Sequence, residues 1–234
     1  LLMETVGLDW QSAVVLSLMA GALIGAINGF LIVNTGVPAF IVTFAMMGVA
    51  GSIPQIITGA ESIRVSQMGY EFIGQARILG VPFPVIALIV ATALAIFFLR
   101  KTVTGTHIYA VGGNPQAARL TGIKVSTVFL FVYSISGLFS GIAGAMSSSR
   151  LYAANGNWGV GYELDAIAAV VLGGTSLAGG VGSIWGTVIG ALIIGVMNNG
   201  LTILGLSSFW QYVAKGVVIV LAVLLDKWRQ QHSF

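Results

Sequence analysis

The chain has 234 residues, of which 57% are hydrophobic and only 7% are charged. Soluble domains carry roughly 25% charged residues, so this composition excludes a soluble globular domain and indicates an integral membrane protein. The absence of cysteine excludes disulfides and thiol chemistry. The net charge of +3 arises mostly from predicted loops, and we expect no nucleic acid partner.

Long apolar runs predict an all-α, polytopic membrane protein with about six or seven transmembrane segments. A helix needs roughly 20 apolar residues to cross a bilayer, and the runs have lengths suited to helices rather than to the short alternating strands of a barrel. The predicted spans cover residues 12–33, 39–57, 82–99, 126–148, 184–204 and 209–225.

The first span carries glycines at every fourth position, Gly21, Gly25 and Gly29. Such residues lie on one face of a helix and allow another backbone to approach closely, so they predict a tight helix contact. Asn28 lies near the same face, where an interhelical hydrogen bond is favoured over a contact with substrate.

Two polar segments are expected on the outer side of the membrane. Residues 58–81 carry charges of both signs and are too long for a tight turn, so we expect a loop with a short surface helix. Residues 149–162 contain Tyr152, Trp158 and Tyr162, which suit a membrane interface.

The segment of residues 100–125 holds four of the ten Lys and Arg residues and no Asp or Glu. A basic loop between membrane-length spans belongs on the cytoplasmic side. Within it, Gly112, Gly113, Asn114 and Pro115 form a turn cluster. Pro115 suits the first position of a helix, and Asn114 can cap that helix.

This cluster predicts a helix about two turns long, ended by Gly122 in the C′ position. The helix would present a small face, Ala117 and Ala118, together with one basic residue, Arg119. The shape of such an element is suited to binding by another protein, although a solvated connector would show the same charge pattern.

Residues 163–182 predict an interrupted or re-entrant helix. The apolar part, residues 166–172, is too short to span a bilayer alone, and irregular backbone at membrane depth must be covered by protein or line a cavity. A phosphate-binding loop is excluded, because the GxxxxG spacing of Gly174 and Gly179 is not followed by Lys and Ser or Thr.

The distribution of Lys and Arg sets the orientation. A map of seven crossings puts residues 34–37, 100–125, 178–183 and the C-terminus in the cytoplasm, with six Lys and Arg inside and three outside. Residues 226–229 form a basic and aromatic anchor at the cytoplasmic end.

Lys215 is the one basic residue within a predicted span. It could snorkel toward water, because its aliphatic stem is long. It could instead form a structural ion pair with Asp165 or Glu163, which lie at a similar depth at the outer start of the interrupted segment. Both readings stay open on the sequence alone.

Three stretches resemble the permease subunits of bacterial ribose-type ABC importers for monosaccharides. They are GGNPQAARLTGIKV, AINGFLIVNTGVPAFIVTFAMMGVA and the run from GYELDAIAAVVLGG to VAKGVVIVLAVLLD. The resemblance covers nearly the whole chain. Family members begin with further helices and a GIDLSVGS-like stretch that this sequence lacks. We therefore expect residues 1–234 to be a single permease domain, the C-terminal two thirds of a longer permease.

The resemblance implies a non-catalytic subunit of the bacterial inner membrane, without cofactor or metal. Two permease copies would form the path, a separate ATPase would dock on the coupling loop at residues 100–125, and a periplasmic sugar-binding protein would deliver the monosaccharide. Ribose is the first candidate for the sugar, and the other surfaces would face membrane lipid.

The alternative is an autonomous secondary transporter or channel, for which Lys215, Asp165 and Glu163 are the available buried charges. Polar or aromatic residues that could line a path in either case are Asn28, Phe40, Thr43, Asn198 and Asn199. Helix packing explains each of these five residues equally well.

Overall fold

The computed structural model describes residues 2–232, with only the backbone described for residues 225, 226 and 228–232. Apart from Lys227, the anchor predicted at residues 226–229 therefore lies outside the described side chains. The helices are α1 Trp10–Thr35, α2 Ala39–Thr58, α3 Glu71–Gln75, α4 Phe83–Lys101, α5 Val103–Gly113, α6 Pro115–Leu120, α7 Val125–Leu151, α8 Tyr162–Leu172, α9 Ile184–Ile203 and α10 Ser208–His232. Four two-residue strands are β1 Ile63–Arg64, β2 Arg77–Ile78, β3 Val81–Pro82 and β4 Ala153–Ala154.

The prediction of a polytopic helical membrane protein is confirmed. Among the described residues, five helices are long and apolar enough to cross a membrane, namely α1, α2, α4, α7 and α9. A shorter apolar helix covers Ser208–Leu224 within α10. The bounds of these helices lie within three residues of the predicted spans.

The interrupted segment is a half-length helix. Helix α8 has 11 residues, about 16 Å at 1.5 Å per residue, which is half of what a bilayer requires. It ends at Leu172, and the chain then runs without helix through residues 173–183 to Ser183, whose hydroxyl caps α9. The glycines in GGTSLAGG account for this break, since three of them have positive φ.

The chain forms two compact units. One contains the residues up to Val90 together with Lys124–Trp158, and the other contains Ala91–Ile123 together with the residues from Gly159 onward.

In the first unit, α1 and α7 pack through glycine, as the spacing in α1 predicted. A Cβ on Gly21 or Gly25 would overlap the carbonyl oxygen of Gly137 or Tyr133 in α7. A Cβ on Gly29 would lie 3.0 Å from the Cα of Leu130. The predicted close helix contact is therefore confirmed, and backbone lies directly against backbone.

The loop after α2 packs on the end of α7 in the same unit. The hydroxyl of Tyr70 donates to the carbonyl of Ala145 at 2.9 Å and lies 2.5 Å from the hydroxyl of Ser148. The buried hydroxyl of Ser149 donates to the carbonyl of Tyr70 at 2.6 Å and accepts from the N–H of Gly74 at 2.9 Å. The short helix expected in this loop is present as α3.

Small antiparallel strand pairs complete this region. β1 pairs with β4, matching Ile63 to Ala154, and β2 pairs with β3, matching Ile78 to Val81. The loop before α4 is therefore an ordered structure anchored to α7 by hydrogen bonds.

The α1–α7 contact predicts that Gly25→Ala destabilises the protein while Gly51→Ala does not. A Cβ at Gly25 meets backbone that cannot yield, and overpacking of this kind costs about 1–3 kcal/mol. A Cβ at Gly51 in α2 meets nothing within 4 Å. Thermal unfolding in detergent should show a lower midpoint for the first variant only, and equal midpoints would contradict the contact.

The Tyr70 contacts predict a pH dependence. Burial raises the pKa of Tyr70, and the hydrogen bond with Ser148 offsets this only partly. Because the folded pKa exceeds the unfolded value of about 10, this contribution to stability is present below pH 10 and is lost as the pH rises through the folded pKa. The fall in unfolding midpoint between pH 9 and 11 should therefore be smaller in Tyr70→Phe than in the wild type.

Candidate functional site

Helix α6 is a short helix fixed at its start by the cap that the sequence predicted. The side chain of Asn114 accepts from the N–H groups of Gln116 and Ala117, at 3.0 and 2.9 Å. Pro115 occupies the first helical position, where a missing N–H leaves no donor unsatisfied.

The end of α6 is fixed as well. Gly122 has φ of 87°, its N–H donates to the carbonyl of Arg119, and the N–H of Ile123 donates to the carbonyl of Ala118, both at 3.1 Å. These two bonds form a Schellman motif, for which a glycine in the C′ position is preferred. Both ends of a six-residue helix are thus held by local hydrogen bonds.

The exposed face of α6 differs from the prediction in one residue. Ala117 and Arg119 are exposed, but Ala118 is buried, with 4% of its surface exposed. Consecutive helical residues point about 100° apart, so Ala117 and Ala118 do not share a face. Leu120, which the sequence did not single out, is 89% exposed and adds an apolar contact surface.

Helix α5 was not predicted. It begins at Val103, after the capping residue Thr102, whose hydroxyl accepts from the N–H of Gly105 at 3.1 Å, and it ends at Gly113. The N–H of Asn114 donates to the carbonyl of Ala110 at 3.1 Å, so the residue that caps α6 also closes α5. The two helices form one corner, with Gly112, Gly113 and Asn114 at its vertex.

A buried ion pair lies in the same unit, between α8 and α10. The Nζ of Lys215 is 2.7 Å from Oδ1 and 3.0 Å from Oδ2 of Asp165, and the Oδ2 contact has hydrogen-bond geometry. The side chain of Lys215 is 9% exposed and that of Asp165 is 21% exposed. The ammonium also lies 5.4 Å from the centre of the Tyr212 ring.

Glu163, the other carboxylate considered for Lys215, is occupied elsewhere. Its Oε2 accepts from the N–H of Gly161 at 2.9 Å, at the start of α8. The structure therefore brings Lys215 together with Asp165 and not with Glu163.

Asn198 of α9 adds a third helix to this cluster. Its Nδ2 donates to Oδ2 of Asp165 at 3.4 Å, while its Oδ1 is buried without a hydrogen-bond partner among the described residues. The side chains of Asp165, Asn198 and Lys215 thus join α8, α9 and α10 around one carboxylate.

The other residues considered for a path take no part in the contacts of this cluster. Asn28 is on α1, and its Oδ1 is buried without a partner in the described part of the chain, so the expected interhelical bond to that atom is not formed. Phe40 is 73% exposed on α2. The hydroxyl of Thr43 donates within its own helix, to the carbonyls of Ala39 and Phe40. Asn199 is exposed on α9.

The first unit contains a cavity of about 350 Å³, which we considered as a sugar site. Its polar lining includes Ser17, Tyr70 and Ser148. Each of these hydroxyls already bonds a carbonyl of the protein, Val14 for Ser17 and Ala145 for the other two. The cavity therefore offers few free partners for the hydroxyls of a sugar.

These features define a multi-pass helical membrane protein that exposes a short helix, capped at both ends, between two of its spans. Residues 2–223 match the family described as the branched-chain amino acid transport system / permease component, and the chain belongs to this permease family.

The relatives it resembles include permeases named for sugars. It is 47% identical over 223 residues to the ribose import permease protein RbsC of Bacillus subtilis (strain 168), covering 94% of this chain and 69% of that protein. The corresponding Escherichia coli (strain K12) protein is 46% identical, with 93% and 69% covered. The L-arabinose ABC transporter permease protein AraH of Azospirillum brasilense is 38% identical, with 91% and 62% covered. No solved structure shows a significant match.

The geometry of the ion pair predicts an energetic coupling between Lys215 and Asp165. In a double-mutant cycle with Lys215→Met and Asp165→Asn, the coupling energy should exceed the 0.2–1 kcal/mol typical of exposed pairs, because both side chains are largely buried. Chemical or thermal unfolding in detergent would measure it.

Glu163→Gln provides the matched control. Its cycle with Lys215→Met should be additive within about 0.5 kcal/mol, since the ion pair of Lys215 is with Asp165 and the carboxylate of Glu163 binds the N–H of Gly161. Additive behaviour in both cycles would show that Lys215 snorkels rather than pairs.

Proposed function

We propose that this chain is the permease subunit of an ATP-driven ABC importer for a monosaccharide, with ribose as the first candidate. The observation that carries this proposal is the 47% identity to a ribose import permease over 94% of the chain. The relatives named for ribose and L-arabinose favour a sugar, although the family description refers to branched-chain amino acids.

In this proposal α6 is the docking element for a separate ATPase subunit, on the cytoplasmic side. Its caps fix the helix before any partner binds, so docking would order few additional residues. Ala117 leaves room for a close approach, Arg119 supplies a charge, and Leu120 supplies exposed apolar surface. The conformation of the segment is set by its turn and cap residues, Gly112, Gly113, Asn114, Pro115 and Gly122. Ala118 is on the buried side of α6.

The remaining assignments follow from the same proposal. A periplasmic sugar-binding protein would deliver the sugar at the opposite face, and a second permease copy would complete the path. Helix α2 has no fully buried residue in the described structure, so much of its surface would be available to lipid or to that copy. The subunit itself would be non-catalytic, in the bacterial inner membrane, with a cytoplasmic C-terminus.

The buried ion pair favours a second candidate function, an autonomous secondary transporter. Charged residues inside membrane spans mark ion or proton pathways in many transporters. Uptake of labelled ribose into proteoliposomes would separate the two functions. An importer requires the ATPase subunit and internal ATP, whereas a secondary transporter responds to a proton gradient without either.

The docking proposal predicts that Ala117→Trp abolishes co-purification with the ATPase subunit and sugar uptake. The indole would occupy the space through which a partner approaches α6, while insertion in the membrane is unaffected because Ala117 is exposed. Pull-down with the ATPase subunit measures the effect.

Met68→Trp is the matched control. Met68 is 94% exposed in the loop before α4, which the proposal assigns to the outer face. This variant should retain the ATPase subunit. If Ala117→Trp binds the ATPase subunit as well as Met68→Trp does, α6 is not the docking element.

A further inference from the structure

At the vertex of the α5–α6 corner, the backbone of the loop between α8 and α9 lies directly against the backbone of Gly112 and Gly113. A Cβ on Gly179 would overlap the carbonyl oxygen of Gly112, and a Cβ on Gly180 would lie 2.7 Å from the Cα of Gly113. From the other side, a Cβ on Gly112 would lie 3.0 Å from the N of Gly180. A side chain at Gly179 or Gly180 would therefore prevent this approach of the two chain segments, and a side chain at Gly112 would strain it.

A hydrogen bond joins the same two segments independently of the glycines. The hydroxyl of Tyr109, three residues before Gly112 in α5, donates to the carbonyl of Gly182 at 3.2 Å. Tyr109 is half-buried. The corner and the loop are therefore held at two points about one helical turn apart.

The loop itself is internally bonded. The N–H of Ser176 donates to the carbonyl of Val181 at 3.0 Å, and the N–H of Thr175 donates to the carbonyl of Val170 in α8 at 3.1 Å. These two backbone hydrogen bonds tie the loop that carries Gly179 to itself and to the end of α8.

Helices α8 and α9 pack against each other as closely as the loop packs against the α5–α6 corner. A Cβ on Gly186 would overlap the carbonyl oxygen of Gly173, and one on Gly190 would overlap that of Ala169. Asp165 and Asn198 join the same two helices at their other ends, where Lys215 attaches α10. Close backbone contacts and the Asp165 cluster therefore connect the three helices to one another.

We infer that Gly112, Gly179 and Tyr109 are positioning residues that transmit a movement of α6 to α8 and α9. The inference rests on the proposed docking of an ATPase on α6. Side chains between two moving elements can change rotamer and absorb a small displacement, whereas backbone in direct contact cannot. The glycine contact thus supplies the stiff connection that conversion of an ATPase movement into a helix movement requires.

The experiment measures the number of sugars transported per ATP hydrolysed by the full chain, reconstituted with its ATPase subunit and binding protein. Gly179→Ala is compared with Gly174→Ala. Both glycines have positive φ, +92° and +81°, so both substitutions strain the backbone, but a Cβ on Gly174 meets nothing within 4 Å. Gly179→Ala should lower the ratio about fivefold or more, the lower end of typical coupling between sites, while Gly174→Ala should leave it unchanged.

A second pair of helical glycines keeps the test decisive if Gly179→Ala fails to insert. Gly112→Ala brings its Cβ to 3.0 Å from the N of Gly180, whereas a Cβ on Gly51 in α2 meets nothing within 4 Å. Gly112→Ala should lower the ratio and Gly51→Ala should not. Tyr109→Phe, which removes only the hydroxyl, should lower it to an intermediate value. General misfolding would reduce ATP hydrolysis and transport together and leave the ratio constant.

The outcomes separate the inference from the proposed function. A ratio that is the same in Gly179→Ala and Gly112→Ala as in their controls, beside a wild type that couples normally, overturns the inference alone. An equal fall in Gly174→Ala also overturns it, because backbone strain would then be the cause. A wild type that neither binds the ATPase subunit nor depends on ATP overturns the proposed function and the inference with it.

Discussion

Direct contact between helix backbones is the constraint on which this structure depends. Lipid is as apolar as leucine, so no hydrophobic force drives membrane helices together, and close packing must supply the attraction. The chain meets this requirement with glycine in both compact units, at Gly25 in α1 and at Gly190 in α9. Since these contacts are made of backbone, their geometry cannot be adjusted by a change of rotamer. Even one added methyl group would overlap backbone atoms of the facing helix.

The carboxylate of Asp165 plays a different role, because it fixes which helices meet. A charged group inside a membrane is costly unless it is paired, and here Lys215 and Asn198 both reach the same carboxylate. Replacing the pair by apolar residues could leave stability unchanged or increase it. The cluster therefore serves mainly to fix the relative positions of α8, α9 and α10, and it is not a large source of stability.

The sequence was most informative where local chemistry decides structure. The apolar runs predicted the long helices, and the cap residues Asn114 and Gly122 predicted α6, because those signals act over a few residues. Helix α5 was missed because VTGTHIYAVGG is rich in β-branched residues and glycine, so its helical state depends on tertiary contacts, although Thr102 offered a cap signal. The choice of Asp165 over Glu163 by Lys215 depends on helix rotation, which spacing alone does not determine.

The two kinds of glycine in the second unit have different consequences. Gly186 and Gly190 lie within a helix and set how closely α9 approaches α8, whereas Gly179 and Gly180 have positive φ and set the path of a loop. The loop glycines are therefore constrained twice, by backbone conformation and by contact with the α5–α6 corner. A loop that only connected two helices would need the first constraint and not the second. The presence of both, beside the capped helix α6, explains why a non-helical stretch within a membrane protein is so closely packed.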